Sequence, residues 1–186
     1  MVESGPVPRG AVNIVREWDE HRLHVPDRGD VLPWSLGLER LDAGRLYWHV
    51  TQDADARAVH VRPVFAVVCD GVLCTTSSDT ARKARRLAHD ARCTLATSTD
   101  DLDLVYEGVA TLVQDVAQAE RVAEAYRRKY GWPIEVTADA AFDAPFGAPS
   151  AGPPPYRIYA IEPVTVRGFG TDEHLARRST RWDFAR

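Results

Sequence analysis

Val67-Val68-Cys69-Asp70-Gly71-Val72-Leu73-Cys74-Thr75-Thr76-Ser77-Ser78-Asp79-Thr80-Ala81-Arg82-Lys83-Ala84-Arg85-Arg86-Leu87 is the stretch that decides how the rest of the chain is read. Asp70-Gly71 is a two-residue hairpin signal, because a tight primed turn asks for positive φ at both central positions. The apolar runs on either side, Val59–Cys69 and Val72–Thr76, are therefore expected to pair as antiparallel strands. Hydroxyls then crowd the turn at Thr76, Ser77, Ser78 and Thr80, and a helix opens whose apolar stripe is Ala81, Ala84, Leu87 and Ala88. Its first turn carries Arg82 and Lys83. Cations there oppose the helix dipole, and unpaired backbone N–H groups point the same way. An anion docked at that end would remove the penalty, with amides and side chains converging on it. The pattern predicts a phosphate seat; the plain alternative is a solvated helix face.

Working outward, Pro63 lies inside the longer strand. Proline cannot donate to a ladder, so that point belongs on an edge, at a bulge, or beside something other than a strand. Before it, Leu46, Trp48 and Val50 alternate with Tyr47 and His49, and Asp53–Arg57 reads as a turn. Pro33 suits the first position of a helix in which Trp34, Leu38 and Leu41 follow before Gly44. Residues 1–30 read as a polar arm, with a short helix expected around Val12–His21.

Downstream, Arg92–Thr97 and Leu102–Val113 read as strands joined by Asp100-Asp101. Asp115 with Gln118 is close to a capping box, and the helix it opens carries Val116, Ala119, Val122, Ala123 and Tyr126 before Gly131 and Pro133. Residues 138–155, rich in Ala, Pro and Gly, read as a long loop. Tyr156–Ile161 and Thr165–Phe169 are the final strands, before a tail ending Thr180-Arg181-Trp182-Asp183-Phe184. Hairpin-like connections and few helices predict a mainly β fold with peripheral helices, an antiparallel closed or split barrel over residues 31–186.

The chain has 186 residues, 45% hydrophobic and 27% charged, with a formal charge of −4. Those values fit one ordinary globular domain, with no general pull toward nucleic acid or an anionic membrane. The basic run at 82–86 is thus a local feature on an acidic background. No window approaches the roughly 18 apolar residues of a membrane span, and no signal-peptide pattern is present. Cys69, Cys74 and Cys93 show no metal-ligand spacing and read as reduced core thiols of a cytoplasmic protein.

Several collinear motifs resemble the pyridoxamine 5′-phosphate oxidase-like split β-barrel superfamily, whose members bind FMN or its deazaflavin relative, coenzyme F-420. They are Leu32-Pro33-Trp34, Arg45-x-Tyr47-Trp48, His60-Val61-Arg62-Pro63-Val64-Phe65, Arg82-Lys83-Ala84-Arg85, Glu107-Gly108, Lys129-Tyr130-Gly131-Trp132, Gly152-Pro153-Pro154-Pro155-Tyr156 and Thr180-Arg181-Trp182-x-Phe184. The resemblance implies a homodimer with a cofactor at each subunit interface. It makes Arg82 and Lys83 the phosphate-binding pair and Thr76 and Ser77 the hydroxyls at the end of the preceding strand. Pro63, Val64, Phe65 and Ala66 become the strand lying along the cofactor ring, which would explain Pro63. Trp182 matches an aromatic that reaches the site, and packing of the tail onto the barrel is its alternative. The chain departs from the family at Ala81, where a serine is common; Thr80 stands one position earlier. Phe65 stands where relatives commonly carry Trp.

Arg86 shares a helix face with Arg82 and could extend the basic surface toward a long anionic tail, such as the phospholactyl-oligoglutamate of coenzyme F-420. His60 is read as structural or ring-contacting, with a proton-donor role as the alternative. His49 and His60 without carboxylate or thiolate support are a weak metal or haem set, so no metal is expected. The expectation is an oxidoreductase moving hydride between coenzyme F-420 and a small unsaturated or quinone-like substrate, with no catalytic side chain identified. FMN is the alternative cofactor, and a non-catalytic flavin or deazaflavin binder the alternative class. In such enzymes the cofactor carries the chemistry and the protein anchors and orients it.

Overall fold

The structure, a computed structural model, describes residues 5–14, 18–19, 22–23, 31–53, 57–147, 151–175 and 178–184. The strands are β1 (Gly10–Asn13), β2 (Trp18–Asp19), β3 (Arg22–Leu23), β4 (Tyr47–Gln52), β5 (Val59–Val64), β6 (Ala66–Cys69), β7 (Val72–Ser78), β8 (Arg92–Ser98), β9 (Leu102–Leu112), β10 (Glu135–Val136), β11 (Ala141–Asp143), β12 (Tyr156–Gly170) and β13 (Ser179–Asp183). The helices are α1 (Trp34–Ala43), α2 (Arg82–His89) and α3 (Val116–Tyr130). All strands but β2 and β3 join one 11-stranded sheet, whose main path is β1-β13-β12-β9-β8-β4-β5. Every pairing in it is antiparallel.

Asp70 and Gly71 turn the β6–β7 hairpin with φ of 51° and 78°. Positive φ at both positions is what the primed turn requires. The strand before that turn is shorter than its apolar run suggests. It breaks at Phe65, so only β6 pairs with β7, while β5 pairs with β4 and sets Trp48 opposite Pro63. Among the described residues β5 has no second neighbour, which gives Pro63 the edge position its missing N–H requires.

Three further expectations are corrected. The described residues of the helix expected around Val12–His21 are not helical: Gly10–Asn13 is a strand on the free edge of β13, and Trp18–Asp19 pairs with Arg22–Leu23; residues 15–17 and 20–21 fall outside the description. The β13 edge offers backbone partners that outweigh weak local helical periodicity. The 138–155 segment is not all loop, since β11 lies within it and pairs with β10 and β12; residues 148–150 fall outside the description. The two final strands are one, β12, with a register shift between Pro163 and Thr165, and the tail after them is itself a strand.

Two cores result. One gathers Leu41, Tyr47, Leu95, Tyr106, Ile161 and Trp182 inside the sheet. The other packs α3 onto β6, β7 and β12 through Val122, Tyr126, Phe142 and Ile158. On β4 it is Tyr47, His49 and Thr51 that turn inward, leaving Trp48 48% exposed.

Candidate functional site

The end of β7 and the start of α2 lie where the sequence places them. Ala81 is the N-cap in extended conformation, no side chain caps the first turn, and no acidic residue lies in it. Thr80 Oγ1 and Ser78 Oγ are 3.1 Å apart, one donating to the other. The predicted cations then diverge. Arg82 is exposed on the outer face of α2, whereas Lys83 turns inward and donates to the Thr76 carbonyl at 2.6 Å. Burial pulls the Lys83 ammonium down to about 8. Ser77 is buried, and its hydroxyl donates to the Ser78 carbonyl.

Arg82, Arg85, Arg86 and His89 line a cleft of about 340 Å³ together with Asp53, which lies just past β4. Arg86 Nε donates to Asp53 Oδ1 at 2.6 Å, and His60 Nε2 lies 2.8 Å from Asp53 Oδ2. The His60 and Arg86 hydrogen bonds hold the Asp53 carboxyl below the usual carboxylate range. A single carboxylate thus joins His60 on β5 to Arg86 on α2. Asp53 escapes a reading of the sequence, because a lone acid in a turn is the ordinary composition of a turn.

The strand break at Phe65 is pinned from behind. The Phe65 carbonyl accepts from Tyr126 OH at 2.9 Å and Thr75 Oγ1 at 3.1 Å. The Ala66 carbonyl accepts from Tyr130 OH at 2.8 Å and Lys129 Nζ at 3.0 Å. The Phe65 ring stacks on Tyr130 with centroids 4.3 Å apart and remains 48% exposed. Ala66 is in register with Thr75, which brings the break beside Thr76. Phe65 therefore lies beside β7, while Pro63 and Val64 stay on β5 against β4, and the signal for the pinning groups is the Lys129-Tyr130 pair.

Other candidates do not join this group. Trp182 is a core residue with no exposed surface: its Nε1 donates to the Leu32 carbonyl at 2.9 Å, and its ring packs against Trp34 at 5.4 Å. That corrects the expected cofactor contact, since the ring is spent on filling the barrel beneath Gly37 and Gly168. His49 is also buried, with neither ring nitrogen hydrogen-bonded, and burial, with the nearby Lys83 charge, pushes it down to about 3. A larger cleft of about 600 Å³, bordered by Asp79, Asp139, Arg157 and Tyr159, contains none of the predicted site residues. Among the described residues, no group of three or more His, Cys, Asp and Glu is placed to hold a metal ion.

No family model and no curated protein matches the chain. Solved structures do. A conserved hypothetical protein from Mycobacterium tuberculosis is 19% identical with a TM-score of 0.54, over 85% of this chain and 89% of that one. A FAD-binding protein from Mesorhizobium loti is 15% identical with a TM-score of 0.51, over 82% and 95%. A Listeria innocua protein named as a candidate pyridoxamine 5′-phosphate oxidase is 16% identical with a TM-score of 0.50, over 72% and 94%. The chain shares with these structures the fold of a split β-barrel. In this split barrel, β12 serves both halves, pairing with β7 through Tyr156–Ile161 and with β13 through Thr165–Phe169. At these identities the likeness fixes the architecture, and the chemistry has to be argued from the side chains.

Proposed function

We propose that this split barrel is an oxidoreductase that uses coenzyme F-420, in preference to FMN, to move hydride to or from a small unsaturated or quinone-like substrate. The observation that carries the reading is the uncapped, arginine-bearing start of α2, set between a cationic cleft and the pinned break at Phe65. The donor set fits a phosphate: Arg82 and the first-turn amides of α2 would hold it, with Thr80 beside them. Arg86 and Arg85 would hold further negative charge on a tail, which favours the deazaflavin over FMN. Lys83 would add its charge only by turning outward from the Thr76 carbonyl. The ring, when bound, supplies the hydride chemistry.

The chain's own residues supply position. Tyr126, Tyr130, Thr75 and Lys129 fix the Phe65 and Ala66 carbonyls, so the strand from Pro63 offers a rigid edge. His60 is oriented by Asp53 at the far end of that strand.

A homodimer accompanies the reading. Trp48, Val59 and Val61 are 48%, 57% and 44% exposed on neighbouring strands, an apolar area of the kind that protomers cover. Trp48→Glu is expected to halve the mass measured by light scattering. Among the described residues no helix is long and apolar enough to cross a membrane. The three free cysteines accord with the cytoplasm proposed for the chain. Tryptophan quenching on titration with coenzyme F-420 and with FMN tests the reading. Saturation by F-420 alone supports it, FMN alone reverses the cofactor, and neither overturns it. Quenching without faster reoxidation of the reduced cofactor by an enone or quinone would make the protein a carrier.

A further inference from the structure

The cleft on α2 is chemically one-sided. Arg82, Arg85, Arg86 and His89 fall at positions that share a helix face, and among the described residues that line the cleft Asp53 is the one acid. That acid does not come from the helix. It reaches in from the end of β4, where its own backbone N–H donates to the Ala58 carbonyl at 3.1 Å. Its two oxygens are divided between Arg86 Nε at 2.6 Å and His60 Nε2 at 2.8 Å. A carboxylate held this way occupies the position that an external anion would take.

We propose that Asp53 is a built-in competitor for this cleft, and that the cleft accepts a multiply charged anion, a phosphate ester or a run of carboxylates, in exchange for it. The argument is ion exchange. A singly charged ligand on Arg86 merely replaces one carboxylate by another and leaves Asp53 facing a like charge, so it gains nothing. A ligand with two or more charges exceeds the displaced contact, because Arg82 and Arg85 add attraction that Asp53 does not satisfy. The Asp53 side chain is 38% exposed and can turn to water when displaced, so the exchange leaves no buried charge behind. Asp53 thereby sets a threshold in ligand charge, which makes it a specificity-determining residue. The inference rests on the proposed coenzyme reading only for which molecule carries the charge.

The test is titration of the full chain and of Asp53→Asn with inorganic pyrophosphate, with a triglutamate peptide and with acetate, by calorimetry at fixed low ionic strength. Asp53→Asn is expected to tighten the polyanion by about three- to ten-fold, as loss of one like charge in a partly exposed site allows. Arg86→Ala should weaken it, and acetate should fail to bind the parent chain and bind measurably, if weakly, to Asp53→Asn, where the charge threshold is gone. Which polyanion binds assigns the charge to phosphate or to carboxylate. Binding of neither overturns the site. Unchanged or weaker binding by Asp53→Asn, with Asp53→Ser agreeing, overturns the competitor role and makes Asp53 a positioning residue for Arg86. Pyrophosphate binding without coenzyme quenching would sink the coenzyme reading alone. Coenzyme quenching with an indifferent Asp53→Asn would sink this inference alone.

Discussion

The two helices that pack on β7 and its neighbours are built to opposite rules. Around α3, polar groups are satisfied and rings interlock: Tyr126 meets Tyr130, Trp132 and Phe142 at 5.7, 5.8 and 5.9 Å and donates its hydroxyl to the Phe65 carbonyl. Asp115 caps its start and Gly131, at φ 64°, its end. Around α2 no side chain caps the start and His49 lies buried with neither nitrogen hydrogen-bonded, while a lysine amine pulled down to about 8 by burial is common to both helices, Lys83 on α2 and Lys129 on α3. The interlocked rings lie on the first side, and the unsatisfied polarity on the second. Such local departures from consistency gather at functional sites.

The largest break in that contrast is Tyr126→Ala, which empties the centre of the α3 core and is expected to lose about 3–5 kcal/mol. Tyr126→Phe should lose about 1–3 kcal/mol, since it strips a donor from the Phe65 carbonyl. Urea midpoints of both variants check this, and a loss under 1 kcal/mol for the alanine would deny that the interlocked rings around α3 stabilise the fold.

His49 gives the next effect, and its sign follows from its depression. The unfolded chain takes a proton on this imidazole near its ordinary value of about 6.5, whereas the folded chain holds it neutral down to about 3. Between those values the unfolded state binds more protons, so stability falls as pH falls through the window. Desolvation of this fully buried ring makes the loss a matter of about 3–4 kcal/mol. His49→Leu removes the titration, and should match or exceed the parent at pH 7 and exceed it clearly at pH 4. Parallel stability curves from pH 7 to 4 would show that the ring has a partner.

Lys83 has the same sign in a higher pH window. Its amine titrates near 8 in the fold and at the ordinary lysine value when unfolded, so stability rises with pH through that interval. Lys83→Met is expected to stabilise the protein by about 1–2 kcal/mol at pH 7, the usual sign when a desolvated charge is replaced by an apolar stem. The gain should fade between pH 8 and the unfolded value. A net loss at pH 7 would mean that the bond to the Thr76 carbonyl outweighs the burial.

How much of this could be read in the sequence follows the range of the interactions. The Asp70-Gly71 turn, the Asp115 cap and the α3 stripe are local, and residue types a few positions apart specify them. The strand over Gly10–Asn13 exists only because β13 offers an edge at the other end of the chain, and no local pattern announces that. The break at Phe65 is made by hydroxyls on α3 and β7, and Trp182 is held inside by a carbonyl at Leu32. The residues of the proposed phosphate seat are legible as a list and not as a geometry. Helical spacing alone separates Lys83 from the face shared by Arg82 and Arg86, yet the pull of a neighbouring Arg-Lys pair obscures it. Asp53 joins the site through partners on two other elements.

The smallest effect is the most direct test of why α2 starts uncapped. Both helices begin on an extended residue, Ala81 at φ −69° and ψ 144° and Asp115 at φ −88° and ψ 123°, so the backbone accepts a capping side chain equally well at either. Asp115 Oδ1 accepts from the Gln118 N–H at 2.7 Å, and Asp115→Ala should lose about 1 kcal/mol. Ala81→Asp is the mirror change. A carboxylate at that position can take the amides of the first turn and lies close to Arg82 and Lys83, so it should stabilise the fold by about 0.5–1 kcal/mol. If those amides serve a phosphate, the same substitution must weaken coenzyme binding, because the internal carboxylate competes for the donors and repels the ligand. Ala81→Ser separates the two effects: it caps without charge, and its hydroxyl can donate to a phosphate oxygen, so it should stabilise without the loss of affinity. Thermal melts and fluorescence titrations of the two variants read both quantities. Stabilisation by Ala81→Asp with unchanged coenzyme affinity would leave the start of α2 an ordinary helix end.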